Sequence, residues 1–309
     1  MQDRATFADA FNLYLYGGEQ VIKPEQLRPL DTTAIALPYG EDGKSVPVQK
    51  LRDVLKMVTA MTDDHAAYLI LGIENQSQLH YAMPVRNMLY DSLQYSAQVD
   101  EIAKSHRNEK DKAETSEEFL SGFYRTDKLL PVITLTILWS GDRWTAPRSL
   151  FEMLSIQDGS LMKYMSDYKL NVLSPAELSD AELGKLTTEL ELAFKGVKYS
   201  NDADGLNELV HNDKRFTSVS KSTAIFYNKV LGTDIDVESE PEKEGYDVCK
   251  AIDVLMERSE TKGRDEGINK GIIDTLAGLV KDGILSLAEA AKRANMTVSE
   301  FEDKTGLRA

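Results

Sequence analysis

The chain has 309 residues, 42% hydrophobic and 28% charged, with a formal net charge of −15. That is ordinary for a soluble globular protein, and the length allows one large domain or roughly two to three smaller ones. No stretch reaches the about 18 apolar residues of a membrane span, the opening MQDRATFADAF does not read as a secretory signal, and the single cysteine, Cys249, excludes an internal disulfide framework and fits a reducing cytoplasm.

In chain order, residues from about Ala5 to Tyr16 have helical spacing, with Phe7, Ala10, Phe11 and Tyr14 on one side, and Gly17-Gly18 stops the helix. An apolar run at 34–37 precedes Pro38 and a turn-rich stretch at 40–43. Residues 46–57 are ambiguous between strand and helix. Residues 68–76 (YLILGIENQ) form a compact apolar run and read as a buried strand. Pro84 opens a helix predicted from Val85 to about Arg107, since proline suits a first turn. A polar loop follows at 108–116, then a β-branched and aromatic strand at 131–139 (PVITLTILW). After Pro147 the pattern turns helical over 150–154, 161–168 and 175–195. Residues 234–247, with seven acids against one lysine, read as an exposed linker and the last domain boundary. Beyond it a helix near 248–260 continues through Gly263, Gly267 and Gly271, followed by helical patterns at 275–281, 287–293 and 298–304.

The informative place is the strand at 68–76. Side chains alternate faces along a strand, so Tyr68, Ile70, Gly72, Glu74 and Gln76 share one. A glutamate ending a buried apolar run is costly unless paired, hydrogen-bonded or bound to a metal, and Gly72 leaves room for a ligand on the same face. If 48–57 is a strand, Asp53 shares a mostly apolar face with Leu51, Leu55 and Met57. Helical spacing of Leu51, Val54, Leu55 and Val58 is the competing reading. As a hairpin joined through a polar connection at 59–65, the two strands would bring Asp53 beside Glu74. Two adjacent carboxylates repel unless a divalent cation lies between them, and oxygen-only ligation favours Mg²⁺ or Mn²⁺ over zinc. None of the four histidines stands at a metal-ligand spacing from another or from Cys249, which speaks against a zinc site.

At these residues the sequence also resembles a family. The string from Leu71 to Gln76 (LGIENQ), with 81–90 (YAMPVRNMLY), is similar to the PD-(D/E)XK nuclease family transposases, the bacterial recombination-promoting nuclease or YhgA-like group. Further matching pieces are Phe7-Ala8-Asp9, Val21-Ile22-Lys23-Pro24-Glu25, Arg52-Asp53-Val54, residues 130–135, Trp144, residues 147–150, Asp167-Tyr168 and Asn171, in order over about residues 5–175. The resemblance implies a restriction-endonuclease-like α/β core, a mixed sheet flanked by helices with catalytic acids on adjacent strands. The acids would be Asp53 and Glu74, with Gln76 where the superfamily pattern has lysine. That glutamine can still position water by hydrogen bonding but supplies no positive charge. Asp9 would be a further acid near the metal, against the plain reading of a surface acid near a helix start. Arg86 and Tyr90, four apart on the next helix, either contact phosphate or anchor Glu74, or are a structural arginine and a packed tyrosine. Lys104, His106, Arg107, Lys110 and Lys112 form the densest basic cluster, but interleaved acids make it a solvated face.

Residues 287–304 have the rhythm of a helix-turn-helix, yet Glu300, Glu302 and Asp303 suit a phosphate-lined groove poorly. Packing or partner docking is the better reading. A glycine stripe at four-residue spacing lets another helix approach, so a homo-oligomer through the C-terminal helices is expected. The organisation is thus a nuclease-like core at 1–175, a helical extension ending in an acidic linker at 176–247, and a helical tail at 248–309. The expected function is a cytoplasmic, Mg²⁺- or Mn²⁺-dependent DNA endonuclease with no membrane partner. The alternative is a non-catalytic protein that keeps the nuclease fold and acts through its tail.

Overall fold

The computed structural model describes residues 3–30, 58–73, 81–155, 158–239 and 245–308. Helix α1 (Arg4–Tyr16) starts where the Asp3 side chain accepts from the Thr6 N–H, and it ends where Gly17 takes a left-handed φ of 61°. After the short strand β1 (Arg28–Pro29) come β2 (Val58–Thr62) and β3 (Ala67–Ile73). Helix α2 (Met83–Glu109) follows with proline in its first turn, then the short α3 (Ser116–Ser121) and β4 (Val132–Leu138). A one-turn helix α4 (Gly159–Met162) precedes the edge strand β5 (Asn171–Leu173).

These strands make a five-stranded sheet in the order β1-β2-β3-β4-β5. β1, β2 and β3 pair antiparallel, while β3 with β4 and β4 with β5 pair parallel. A parallel neighbour needs a crossover connection, and α2 supplies it between β3 and β4. On one sheet face Tyr68, Ile70, Leu135 and Ile137 pack with Phe7 and Phe11 of α1 and with Leu190 and Phe194. On the other, Leu69 and Leu138 meet Met83, Tyr90 and Leu93 of α2 together with Trp144 and Val172. Both faces are covered, which is why β3 reads as a near-continuous apolar run and β4 departs from one only at Thr134 and Thr136.

Two expectations about the chain path are corrected. Residues 59–65 are not simply a connection: 59–62 lie inside β2, registered against β3 from Val58↔Leu71 to Thr62↔Ala67. Its β-branched residues favour the extended form. The turn itself is organised by Asp63, which is only 4% exposed. Its Oδ1 accepts from the N–H groups of His65 at 2.7 Å and Ala66 at 2.9 Å. Secondly, 161–168 is not a packed helix beyond α4: Leu161, Tyr164 and Met165 stay exposed, and only past the helix does Tyr168 pack against the core under α2. Its neighbour at 150–154 holds only a short 3₁₀ turn (Phe151–Met153), since the Asp167 carboxylate takes the Phe151 N–H and Ser149 bridges Lys169.

The C-terminal half is helical. Helices α5 (Asp180–Leu183), α6 (Leu190–Lys198), α7 (Ala203–Asn212) and α8 (Lys221–Leu231) lead to α9 (Val248–Lys281), of 34 residues, then α10 (Leu287–Arg293) and α11 (Val298–Thr305). The predicted helical stretch at 175–195 is therefore divided, with the non-helical Thr187 and Thr188 preceding α6. Leu192, Leu206, Val210, Phe216, Ala224, Tyr227, Tyr246, Val248 and Ile252 form one buried cluster. Ile235 and Val237, in the acid-rich segment, pack against it, so burial is continuous across Asp247. A separate small cluster, with Leu276, Leu287, Ala290 and Phe301, joins the end of α9 to α10 and α11. Among the described residues no helix is long and apolar enough to cross a membrane.

Candidate functional site

Asp53, Glu74 and Gln76 lie outside the described residues, as do the apolar run at 34–37 and the ambiguous segment at 46–57. What the structure describes is the frame around them. β2 and β3 are adjacent and antiparallel, so the chain enters β2 at Val58 and leaves β3 at Ile73 on the same end of the sheet. Asp53 precedes the one point in the sequence and Glu74 follows the other. The parallel partner β4 runs alongside, with Gly72↔Ile137 and Ile73↔Leu138 in register.

Helix α2 runs back along β4 from that end and is fixed to it by a polar seam. Asn87 is fully buried and its Nδ2 donates to Thr136 Oγ1 at 2.8 Å, while its Oδ1 has no partner among the described residues. One turn on, Asp91 accepts from Thr134 Oγ1 at 2.5 Å and from the Tyr168 hydroxyl at 2.7 Å. Burial pushes the Asp91 carboxyl up from its ordinary range, against the pull of those two donors. The Tyr168 hydroxyl is pushed well up by its own burial and by the carboxylate it donates to. Further along, Gln98 exchanges a pair of bonds with the Leu130 backbone, at 2.8 and 3.2 Å. Sequence reading missed this seam. Its signal is the polar spacing of Asn87, Asp91 and Gln98 on one side of α2 opposite Thr134 and Thr136, alternate residues of β4.

Asp9 is corrected as a surface acid. It is 1% exposed. Its oxygens accept from the Thr187 N–H at 2.9 Å and the Thr188 N–H at 2.9 Å, and from the Thr188 hydroxyl at 2.7 Å. The Thr187 hydroxyl adds a fourth donor at 3.2 Å. Those N–H groups precede α6, so Asp9 ties α1 to the C-terminal half and is committed there. Asp63 and Asp91 are likewise engaged in hydrogen bonds.

Of the two readings of the next pair, Tyr90 is the packed one, 2% exposed in the core under α2. Arg86 is half-buried with Nη1 4.0 Å from Met83 Sδ. In the basic cluster, Lys104, Arg107, Lys110 and Lys112 are exposed. His106 is instead held between Asp111 and Asp127, at 2.9 and 3.0 Å, and stacks on Tyr124 with ring centroids 3.8 Å apart. Several residues that carry the resemblance are scaffolding here: Asn171 Nδ2 donates to Thr134 O, Trp144 Nε1 donates to Ala146 O, and Arg148 pairs with Glu177 at 2.7 Å.

Away from the sheet, ligand atoms of His211, Cys249 and Asp253 all lie within 4.8 Å of one another, a grouping that spacing along the chain does not announce. Comparison with family models gives no match, and comparison with curated proteins and with solved structures gives none either.

Proposed function

We propose that the chain is a metal-dependent DNA endonuclease with a restriction-endonuclease-like core, hydrolysing phosphodiesters at the end of the sheet where β2 begins and β3 ends. The observation that carries this reading is the β2–β3 pairing: adjacent antiparallel strands whose open ends face the same way, flanked by helices in a mixed sheet. The sequence supplies Asp53 ahead of one strand and Glu74-Asn75-Gln76 after the other. Oxygen donors alone suit Mg²⁺ or Mn²⁺, and when bound such an ion supplies an acidified water and charge stabilisation at the phosphoryl oxygens. Asp53 and Glu74 hold the ion, and Gln76, neutral, orients the attacking water through its amide.

The acidic total is compatible with this, because ligand carboxylates are neutralised locally by the ion they bind. Substrate DNA would then rely chiefly on that ion, because the exposed Lys104, Arg107, Lys110 and Lys112 stand at the end of α2 remote from Ile73. Recombination or transposition adds a strand-transfer step that no described residue calls for, so hydrolysis alone is proposed.

The alternative, a non-catalytic nuclease-fold protein working through its tail, draws on α9. Its middle, residues 257–272, is exposed almost throughout and carries a separate small cluster at its far end. Mn²⁺ separates the two. Binding at 100 times Kd stabilises the folded state by about 2.7 kcal/mol, so the enzyme gains several degrees in Tm and Glu74→Ala loses that gain. An unchanged Tm with Mn²⁺ favours the interaction protein.

A further inference from the structure

We propose that His211, Cys249 and Asp253 form a second metal site, specific for a thiophilic divalent ion such as Zn²⁺, that clamps α7 to the first turns of α9. The donors come from two helices whose relative position is fixed by buried packing. Each follows a core residue directly: His211 follows Val210, Cys249 follows Val248 and Asp253 follows Ile252, and all three core residues belong to one cluster. Cys249 and Asp253 are one turn apart on α9 and so share a face. The three ligand atoms gather within 4.8 Å. The imidazole Nε2 and the Asp253 Oδ1 stand 3.5 Å apart. Two zinc bonds of about 2.0–2.1 Å at a tetrahedral angle would hold their ends roughly 3.3 Å apart, so this pair is already near bonding geometry.

The histidine is also prepared. His211 Nδ1 lies 2.9 Å from the Asn207 carbonyl oxygen, which accepts a hydrogen bond from the Nδ1–H and leaves Nε2 as the lone-pair nitrogen facing the other donors. A thiolate, an imidazole and a carboxylate form a borderline-soft set that favours zinc over Mg²⁺, and three protein ligands leave a fourth position for water. This chemistry is distinct from the all-oxygen site proposed at Asp53 and Glu74. Its consequence is mechanical, because it pins the root of the long helix that carries the C-terminal cluster.

The test uses the full chain with Co²⁺ as a spectroscopic stand-in for zinc. The site predicts one equivalent of Co²⁺ with a thiolate-to-metal charge-transfer band and intense tetrahedral d–d absorption, both abolished by added Zn²⁺. Cys249→Ser removes the charge-transfer band. His211→Ala, at an exposed position that the fold tolerates, weakens binding by more than about tenfold, the loss that even an outer-shell change can cause. Glu74→Ala keeps the full cobalt spectrum, which separates this site from the proposed catalytic one. A weak octahedral spectrum without the thiolate band, or a spectrum unchanged in His211→Ala and Asp253→Asn, overturns the proposal.

Discussion

Replacing Asp9 removes the shared acceptor of two backbone N–H groups and two hydroxyls in a fully enclosed place. Asp9→Ala leaves those donors buried without partners, at a cost on the order of 3 kcal/mol. A urea midpoint falling with an unchanged m-value would show it, and a loss below about 1 kcal/mol would contradict the assignment. Metal affinity should be untouched once the variant is folded. In the sequence Asp9 looked like a surface acid, because the Thr187 and Thr188 donors that enclose it lie 178 and 179 residues away. His106 makes a pH-dependent prediction. Its bonds to Asp111 and Asp127 favour the imidazolium and raise its pKa. A raised folded pKa means that the stability it contributes is complete below the unfolded value of about 6.5 and is lost as pH rises through the higher folded one. Asp127 is lowered, first by the Tyr124 N–H and then by His106, so its own contribution is lost only as pH falls through that lowered value. Amide exchange around residues 122–127 should therefore quicken as pH rises past the His106 midpoint, after correction for intrinsic rates, and His106→Ala should abolish that step.

Among the elements, the meeting of α6 and α8 is the most sensitive to a single methyl. A Cβ at Gly196 would stand 2.7 Å from the Tyr227 Cζ. Tyr227 is fully buried and donates to the Leu192 carbonyl at 2.8 Å, so it has no slack to retreat. Gly196→Ala should cost about 1–3 kcal/mol through overpacking, read as a lower Tm. Gly263, Gly267 and Gly271 of α9 behave oppositely, since a Cβ at any of them meets nothing within 4 Å. Changing all three to alanine stabilises an exposed helix by up to about 1 kcal/mol each. If the stripe is a contact between copies, the same variant also dissociates the oligomer in light scattering, whereas a wild-type protein monomeric at high concentration sinks the self-association proposal. Helix α1 with its glycine stop, α2 with its proline start, and strands β3 and β4 were legible because periodicity and end signals are local. Strand β5 was not, because three residues at a sheet edge carry no period of their own. β2 was misplaced because the chain around 59–65 is polar and its strand character comes from pairing with β3.

For the whole molecule, alternating strands and helices in the first part were legible from their apolar runs and the helical C-terminal half from its 3.6-residue rhythm, while the mixed sheet flanked by helices was an expectation from the family resemblance. The polar seam of α2 and the His211, Cys249 and Asp253 cluster were not, because each joins elements far apart in sequence. The catalytic reading requires Asp53, ahead of β2, and Glu74, after β3, to act together, and cleavage tests it most directly. Purified protein is incubated with supercoiled plasmid and Mg²⁺ or Mn²⁺, beside a Glu74→Ala variant and a chelator control. The account predicts nicking and linearisation that need the metal and vanish in the variant. No cleavage by the wild type with either ion, or equal cleavage by wild type and variant, would contradict it.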